Sequence, residues 1–575
     1  MKKTLIKVVF LLIAVVLLAL FILRPPTPPA SQVFINANVL TMDAKETIAK
    51  AVALEGKRIA AVGSLADIEK HIGWRTKVHN LEGKTLMPGF IDAHSHFPVS
   101  GLRVLGVDLN SPPIGNIENI QQLLEALKAK VALTDKGDWV FGFGYDDTLL
   151  AEHRHPSRAE LDRVSSQHPI FLFHVSGHMG VANSPALALA GFDKTTPNPE
   201  GGVIVKDPVS GELTGLVEEQ ARIPLLRLAF DFSVLDFFSM TRDAVDTYAS
   251  AGVTTAQNGA ADINTLRGLS LLSRLGVVPF RLEIWPFYDS LGEKLLTGEV
   301  DPDKYNNERL RIGAVKIIAD GSIQGYTGYL TQPYHVPPGQ DASFSGNKNY
   351  VGYPTLTQKE LTDWVTRYHQ AGYQLAIHGN GDAAIDEIIQ AFGQAQTQYP
   401  KEDPRMILVH AQLARDDQLD KMKELGITPS FFSAHTYYWG DRHWNIFMGP
   451  ERAANMSPAR SAQERNLRYS LHLDTPVVPM EPLLLVWSAV NRLSTSGKVI
   501  GDHQRITVLQ ALKAVTIDAA WQIFRDRELG SIEQGKLADF VILDSNPLER
   551  PETIRDIRVE QTWVGGVNIY QREHP

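Results

Sequence analysis

The middle of the chain alternates between the hydrophobic period of helices and the short apolar runs of buried strands. The helical patterns cover residues 237–251, 361–371 and 416–425, and the apolar runs cover residues 253–256, 374–377, 406–409 and 427–430. An apolar period near 3.6 residues indicates a helix, whereas a short continuous apolar run indicates a buried strand. Because the two types alternate, we expect a parallel sheet, either open or closed into a barrel.

Both ends of the chain follow a different pattern, in which short strands are separated by turns. Strands are predicted at residues 33–35, 39–42, 51–54, 58–62, 540–543, 557–559 and 562–564. Such β-rich ends on either side of a long middle segment are predicted to pair into one small sandwich. Residues 110–230 do not fit the alternation of helix and strand, so we interpret them as an insertion.

The amino-terminal segment is apolar over a length that predicts a membrane span. Val8 to Leu23 are sixteen apolar residues in a row, and Thr4 to Leu23 give twenty residues if Lys7 reaches the interface. About 20 apolar residues cross the hydrocarbon core. More bases precede the segment than follow it, which favours a cytoplasmic amino end and a body outside. A Pro-rich stretch at 25–29 then predicts a stiff spacer, so we expect an uncleaved signal anchor, with cleavage as the alternative.

Composition and charge exclude several classes of function. Apolar residues make up 44% and charged residues 21%, as in ordinary globular proteins. The net charge is −9, which argues against nucleic acid as a partner. There are no cysteines, so disulfides, thiolate metal sites and a cysteine nucleophile are excluded. Beyond residue 31 no second run of about 18 apolar residues occurs, which argues against a transport protein.

Five segments place a residue of metal-ligand type directly after, or within, an apolar strand. His94 and His96 are two apart, so in a strand they face the same side. The other segments contain Lys316 with Asp320, His378, His410, and His472 with Asp474. In a parallel barrel, groups at the carboxyl ends of strands gather at one face, so these side chains would converge.

Each segment alone also has a plain structural explanation. His94 and His96 could be a surface pair, His378 and His410 capped or core histidines, Lys316 a rim lysine and Asp474 a turn residue. Their common placement at strand ends, in this order, favours one metal site.

Taken together, these stretches resemble a known family. The matching segments are residues 87–96, Val315-Lys316 with Asp320-Gly321-Ser322, 378–382, 409–412, 183–187, 214–216 and 530–539. They are similar to the amidohydrolase superfamily, in the branch of N-substituted formamide deformylase-like metal-dependent hydrolases (amidohydrolase family 3), and the similarity covers about residues 32–575.

The resemblance implies an α/β fold: a (β/α)8 TIM-like barrel with a small β-sandwich domain formed by both chain ends. With the amino-terminal transmembrane helix, the predicted organisation has four parts. These are the anchor and spacer at 1–31, the first sandwich part at 32–88, the barrel at 89–524 with the insertion, and the second sandwich part at 525–575.

The resemblance also implies roles for individual residues. His94 and His96 would bind a buried divalent metal, most often zinc, and His378 and His410 a second ion. Lys316 would be N-carboxylated and bridge the two ions, and Asp474 would bind the first metal and act as general base. Neutral imidazoles are suitable ligands for Zn²⁺. The ammonium group of Lys316 would be repelled by two nearby cations, and carboxylation would convert it into an anion. Whether one or two ions bind, and whether Lys316 is carboxylated, stays open.

Several further residues are assigned to the substrate cleft. His178 resembles a position that faces the substrate and is a candidate catalytic residue, with a structural role as the alternative. Tyr145, beside Asp146 and Asp147, is a candidate for substrate binding, as are His435, Tyr437 and Trp439 in the aromatic run 431–439. Two further pairs are predicted to have no role in the site. Glu218 and Glu219 are interpreted as solvated helix charges, and His153 and His155 as part of a surface loop. His472-Leu473 replaces the small residues usual before the aspartate of the family.

The predicted function is hydrolysis of a non-peptide carbon–nitrogen bond in an amide-like small molecule. An ester, lactone or cyclic amide as the substrate is the nearest alternative, and a non-catalytic tethered binding protein is a more distant one. The predicted partners are the small molecule and, through the amino-terminal helix, a membrane; a homodimer is left open. The predicted location is extracytoplasmic, membrane-anchored or, after cleavage, secreted.

Overall fold

The computed structural model describes residues 30–339 and 346–573, together with Ile13 and Val15. Its strands are β1 Gln32–Ile35, β2 Asn38–Leu40, β3 Ile48–Ala49, β4 Ala51–Glu55, β5 Arg58–Gly63, β6 Lys77–Asn80, β7 Thr85–Pro88, β8 Phe90–Ile91, β9 Val107–Asp108, β10 Val140–Tyr145, β11 Ile170–His174, β12 Met179–Ala182, β13 Gly202–Lys206, β14 Leu213–Glu219, β15 Val253–Ala261, β16 Arg281–Pro286, β17 Leu310–Ile312, β18 Val315–Ile318, β19 Leu375–Gly379, β20 Met406–His410, β21 Ile427–Phe431, β22 Ser470–Leu471, β23 Phe540–Leu543, β24 Val559–Val564 and β25 Val567–Gln571.

The α-helices of the described residues are Leu65–Glu69, Ile120–Val131, Arg158–Val164, Ser184–Leu189, Ile223–Ala229, Val234–Ser250, Ile263–Arg274, Glu293–Leu296, Gln358–Gln370, Asp382–Gln398, Asp416–Leu425, His435–Tyr438, Gly440–Arg442, Gly449–Ala454, Ala459–Glu464, Pro482–Asn491, Val508–Ala514 and Ile517–Gln522.

The predicted membrane span, residues 4–23, lies outside the described residues apart from Ile13 and Val15. Within the part of the chain that the structure describes, no helix combines the length and the apolar character that crossing a membrane requires.

The helices and strands predicted for the middle of the chain are confirmed. The helix at 416–425 has the predicted bounds, β20 and β21 contain the predicted apolar runs, and β19 contains the predicted run except for Gln374. The helix predicted from residue 237 begins earlier, at Val234, because the Ser233 side chain accepts from the backbone N–H of Asp236 and the Asp236 carboxylate bonds back in a capping box.

Two sheets of parallel strands give the α/β, TIM-barrel-like fold. One sheet has the order β17-β16-β15-β8 and the other the order β18-β19-β20-β21-β22. Neighbours within each sheet run parallel. The sheets approach each other at a parallel bridge between Phe287 and Lys316. Since helices separate most of these strands along the chain, apolar faces are buried on both sides of the sheets. A closed eight-stranded barrel stays a prediction.

The two chain ends meet in a six-stranded sheet. Its order is β25-β24-β23-β7-β2-β3, and β23 pairs antiparallel with β7. A four-stranded sheet, β5-β4-β1-β6, shares a core with it. Phe34 of the smaller sheet meets Phe540 and Trp563 of the larger one edge-on, with ring centroids 4.9 and 5.1 Å away. The chain ends therefore form two packed layers, while the domain boundaries given above stay a prediction.

Residues between β8 and β15 build a further sheet with its own cores. The order is β13-β14-β12-β11-β10-β9, and two buried clusters line it. The antiparallel pairing of β12 with β14 places Met179 opposite Glu218. This pairing brings His178 and Glu219 side by side, which matters for the site described next.

Candidate metal centre

The carboxyl ends of the parallel strands bring the predicted ligands together, although these residues are far apart in the sequence. Lys316 lies in β18, His378 in β19, and His410 is the last residue of β20. His94 follows β8, and Asp474 follows β22. All of these side chains except that of Asp474 are nearly fully buried. One face of the fold therefore carries the polar groups, as is usual for parallel barrels.

His94 is held by contacts on one ring nitrogen and one ring face. Its Nδ1 lies 2.8 Å from Oε1 of Gln257, and its ring stacks on Trp285 with centroids 5.4 Å apart. Because the Gln257 amide donates to the carbonyl of Ala93 through Nε2, its Oε1 is the acceptor and Nδ1 of His94 the donor. That tautomer directs the lone pair of Nε2 to the centre of the pocket, where Nζ of Lys316 lies 3.1 Å away.

The Asp474 carboxylate lies between three histidines. Its Oδ1 is 3.4 Å from Nε2 of His94 and 3.2 Å from Nε2 of His96, and its Oδ2 is 3.9 Å from Nε2 of His410. The backbone at Asp474 has a φ of 56°, and its N–H donates to the carbonyl of His94. Burial alone would raise the pKa of Asp474, but the nearby imidazoles of His96, His410 and His94 hold it well below its ordinary value.

His378 and His410 form the other side of the pocket. Their ring centroids are 4.5 Å apart. Nε2 of His378 lies 3.1 Å from the carbonyl oxygen of Gly321, so its Nδ1 is the nitrogen left for a ligand. Nδ1 of His410 lies 3.0 Å from Nε2 of His472, so its Nε2 faces Asp474.

Burial sets the protonation states of these groups. It lowers the pKa of His94, His378 and His410 well below the ordinary value; nearby histidines lower it further, and Lys316 does so for His94 and His378. Burial also lowers the pKa of Lys316 to about 8, although Asp474 opposes the shift. The imidazoles are therefore neutral at pH 7, which is the form that binds a metal.

The side chains present fit a divalent metal ion. His94, His410 and Asp474 each offer a ligand atom, and these atoms all lie within 4.8 Å of one another. Oδ1 of Asp474 is buried and has no hydrogen-bond partner among the described residues. A buried oxygen without a partner is costly unless a cation satisfies it. Imidazole nitrogens with one carboxylate are a common donor set for Zn²⁺.

His178 lies beside this pocket and contacts one of two buried glutamates. The interpretation of these residues, Glu218 and Glu219, as solvated helix charges is wrong. The His178 ring is 5.0 Å from the ring of His378, and its Nδ1 is 2.9 Å from Oε2 of Glu219. Both glutamates end strand β14 and are 3% exposed. Their strand position follows from pairing with β12, a contact between segments distant in sequence.

Tyr145 lies in a second polar cluster, which consists of Tyr145, Asp146, Asp147, His155 and His174. Tyr145 is fully buried, and its hydroxyl lies 3.1 Å from Nδ1 of His155. Asp147 accepts from His174 over 3.0 Å. His155 is 8% exposed, so its assignment to a surface loop is wrong, whereas His153 is exposed as expected.

Asp146, Asp147 and His174 form a second group whose ligand atoms lie within 4.8 Å of one another. In this group the Asp146 carboxylate accepts from Arg442 over 2.7 Å, from Trp439 over 3.0 Å and from Thr148 over 2.6 Å. Its pKa is lowered because the Arg442 charge and these donors outweigh burial. Its oxygens are therefore already engaged by protein groups.

The aromatic run after β21 divides into two groups. Phe432 packs on His435 at 4.4 Å and on His472 at 5.3 Å, and His435 packs on Trp439 at 4.8 Å. These rings continue the wall of the histidine pocket. Tyr437 instead packs against Trp487 at 5.6 Å, and the guanidinium of Arg555 lies over its ring.

Three residues that touch predicted site residues were not assigned a role from the sequence. Gln257 and His472 bond the outer nitrogens of His94 and His410, and Glu219 bonds His178. His472 stands out in the sequence only because it replaces a small residue. Gln257 and Glu219 carry no local signal, since their roles depend on which strands lie next to each other.

The chain is similar to known proteins over most of its length. The sequence pattern of the Amidohydrolase family matches residues 77–570. The chain is 31% identical to N-substituted formamide deformylase of Arthrobacter pascens, with 94% of this chain and 98% of that protein covered. It is 29% identical to Protein LONG AFTER FAR-RED 3 of Arabidopsis thaliana, with 98% and 97% covered.

Among solved structures, the fold is similar to an uncharacterized metal-dependent hydrolase of Pyrococcus horikoshii. The TM-score is 0.71 at 25% identity, with 91% of this chain and 99% of that chain covered.

Proposed function

Since this chain belongs to the amidohydrolase family, we propose that it hydrolyses a non-peptide carbon–nitrogen bond in an amide-like small molecule. Family membership and the similar solved structure support a metal-dependent hydrolase. The name of the relative from Arthrobacter pascens supports an N-substituted formamide or a similar N-acyl amine as the substrate class.

The observation that carries the proposal is the unpaired carboxylate oxygen of Asp474 among imidazole nitrogens. Oδ1 of Asp474 lies 3.2–3.4 Å from the Nε2 atoms of His96 and His94 and has no hydrogen-bond partner among the described residues. Such a set of lone pairs directed into one buried pocket is unfavourable without a cation. We therefore assign His94, His96, His378, His410 and Asp474 as metal ligands.

A divalent ion held by these residues would supply Lewis acidity, which activates water and polarises a carbonyl group. Asp474 would then accept the proton of the attacking water and return it to the leaving nitrogen, as a general base and acid. His178 would act on the substrate as a catalytic residue, with its Nε2 forming a hydrogen bond beside the attacked carbonyl. His435 and Trp439, packed beside Phe432, would line the acyl or amine side of the substrate.

Several finer points belong to the same proposal. Zinc is the preferred ion, as one or two equivalents. A buried Lys316 whose pKa is lowered to about 8 has an accessible neutral amine, which is the form that N-carboxylation requires. The proposed substrate contacts of Tyr145 and Tyr437 rest on the sequence, because Tyr145 is fully buried and Tyr437 contacts Trp487.

Four other proposals also rest on the sequence pattern. They are the amino-terminal anchor, the extracytoplasmic location, the four-part domain organisation and a homodimer. They are proposals that the metal experiment below does not depend on.

The experiment that tests the function measures metal and turnover on the same full-length protein. Mass spectrometry of the metals bound to the purified chain should give one or two zinc equivalents. The double variant His94→Ala/His96→Ala should lose at least half of them. The same samples are then assayed on N-substituted formamides, N-acyl amines, esters and lactones.

Turnover of formamides or N-acyl amines that disappears with the metal would support the proposal. Turnover of lactones or esters alone would support the alternative substrate class. Absence of stoichiometric metal after purification in metal-supplemented medium would overturn the mechanism and favour a binding protein.

A further inference from the structure

The buried Glu219 carboxylate has one strong contact, and that contact is with His178. Oε2 of Glu219 lies 2.9 Å from Nδ1 of His178, while Oε1 has no hydrogen-bond partner among the described residues. The side chains of His178 and Glu219 are 12% and 3% exposed. A carboxylate only accepts hydrogen bonds, so Nδ1 of His178 must carry the proton.

The backbone places this pair with little freedom. The N–H of Glu219 donates to the carbonyl of His178 over 2.8 Å, in the pairing of β12 with β14. Glu219 has φ 48° and ψ −121°, a conformation that residues with a side chain rarely adopt. Strained backbone of this kind persists where surrounding contacts hold it, and it is common at functional sites.

Glu219 also lies against the loop that supports a predicted metal ligand. A Cβ atom at Gly321 would lie 2.1 Å from Oε1 of Glu219, so only glycine leaves room for the carboxylate there. The carbonyl of Gly321 is the group 3.1 Å from Nε2 of His378. Glu219 therefore packs between His178 and the loop that holds His378.

We propose that Glu219 is a positioning residue that holds His178 with its proton on Nδ1 and its Nε2 toward the substrate. No hydrogen bond to Nε2 of His178 occurs among the described residues, and the ring packs 5.0 Å from that of His378. In the proposed function, on which this inference rests, His178 meets the substrate as the carbonyl is attacked. With the proton held on Nδ1, the lone pair of Nε2 stays directed at the substrate side of the ring, where it accepts a hydrogen bond from the substrate.

The first test reads the tautomer directly and needs no substrate. The purified protein is labelled with ¹⁵N-histidine, and the His178→Asn variant identifies the His178 resonances. Wild-type protein should show a protonated Nδ1 at His178. In Glu219→Met, which is similar in size but has no acceptor, the signals should shift to a mixture of tautomers or to a protonated Nε2.

Glu218→Gln is the matched control, since Glu218 is equally buried and its carboxylate accepts from Tyr353 over 3.2 Å. It should leave the His178 signals unchanged. A Glu219→Met protein whose His178 signals equal those of the wild type would overturn the proposal.

The second test is a double-mutant cycle on the best substrate of the panel. Glu219→Met should lower kcat by about 10- to 100-fold with unchanged metal content, the range for loss of a residue that orients a functional group. Combined with His178→Ala, it should lower kcat no further than His178→Ala alone. Independent, multiplicative losses would overturn the proposal.

The tests still give an answer if Glu219→Met does not fold or if no substrate is found. If Glu219→Met does not fold, Glu219→Gln replaces it in the cycle, and its loss must likewise vanish in the His178→Ala background. If no carbon–nitrogen substrate is hydrolysed, the proposed function fails, but the ¹⁵N signals still decide whether Glu219 sets the tautomer.

Discussion

Individual contacts behind the ligands decide how each imidazole is presented. Gln257 and Trp285 fix the ring of His94, and His472, itself 2.9 Å from the hydroxyl of Ser430, fixes His410. Partners of this kind set the tautomer and the orientation of a ligand before any ion binds. Loss of one partner should therefore weaken metal binding without removing a ligand.

We expect Gln257→Leu to lower the affinity for zinc by about 10- to 100-fold, because His94 loses the acceptor that directs its Nε2 into the pocket. Titration of the metal-free protein against a chelator of known affinity measures the change. Gln418→Leu is the control, since Gln418 is as buried but bonds Asp382 and Asp386, which both lie on helix Asp382–Gln398. Equal affinities for both variants would contradict an orienting role for Gln257.

Single elements of secondary structure create the space and the fixed ends that the site requires. Strand β15 carries Gln257 and, two residues later, Gly259, whose position is close to the ring of His94. In the insertion, helix Arg158–Val164 begins at a capping box made by Ser157 and Glu160. One element thus leaves room for a ligand, and the other stabilises the segment that includes His155.

Gly259→Ala should displace the His94 imidazole, because the new Cβ would lie 2.3 Å from Cε1 of that ring. We expect the variant to bind less than half of the wild-type zinc, as measured by metal analysis of the folded protein. The control is Gly393→Ala in helix Asp382–Gln398, where the new Cβ would lie 3.5 Å from the side chain of Leu425. This variant should keep its zinc, and its free energy of unfolding should rise by up to about 1 kcal/mol. Full zinc content in Gly259→Ala would show that strand β15 can shift enough to accommodate the new Cβ without displacing His94.

Glu160 should make a pH-dependent contribution to stability. Hydrogen bonds from Arg154 lower its pKa to about 2, and the backbone and hydroxyl of Ser157 add to the shift. A carboxyl whose folded pKa lies below its unfolded value stabilises the fold above the unfolded pKa, near 4.5, and loses that contribution as the pH falls toward 2.

We therefore expect Glu160→Gln to lower the melting temperature more at pH 7 than at pH 3. Thermal unfolding of both proteins at the two pH values measures this. Glu125→Gln, at an exposed position of helix Ile120–Val131, should have little effect at either pH. A loss in Glu160→Gln that is equally large at pH 3 would show that shape, not charge, matters there.

At the scale of the whole molecule, one buried ion pair joins the parallel strands to the sheet of the chain ends. Arg281, the first residue of β16, donates to both oxygens of Asp539, next to β23, over 2.6 and 3.0 Å. Both side chains are 4% exposed. Burial would lower the pKa of Arg281, but the Asp539 charge raises it above its ordinary value. The arrangement fixes one unit against the other through two bonds in a dry environment.

Asp539→Asn should destabilise the protein by about 3–5 kcal/mol, because it leaves the Arg281 charge buried without a counter-ion. The exposed pair of Lys57 and Glu308 is the control, and Glu308→Gln should cost less than about 1 kcal/mol. Urea unfolding measures both, and zinc content per folded molecule should stay at the wild-type value. A similar small loss in both variants would contradict a joining role for the buried pair.

The order of helices and strands and the types of metal-ligating residue could be predicted from the sequence, because they depend on the pattern of apolar and polar residues over short stretches. The helix Asp416–Leu425 and the strand Phe540–Leu543 follow from apolar spacing over a few residues, and they have the predicted bounds. The placement of His94, Lys316, His378, His410 and Asp474 after or within apolar strands was enough to predict that they converge, since parallel strands end at one face.

Only the tertiary structure decided which polar groups are buried and what they bond. Glu219 and His155 look like surface residues in the sequence, yet neighbours more than fifteen residues away enclose them. The hydrogen-bond partner of Nδ1 of His94 is Gln257, 163 residues later, and that of Nδ1 of His178 is Glu219, 41 residues later. Burial and hydrogen bonding are properties of such distant contacts, so local periodicity determines the elements but not the chemistry of the groups they bring together.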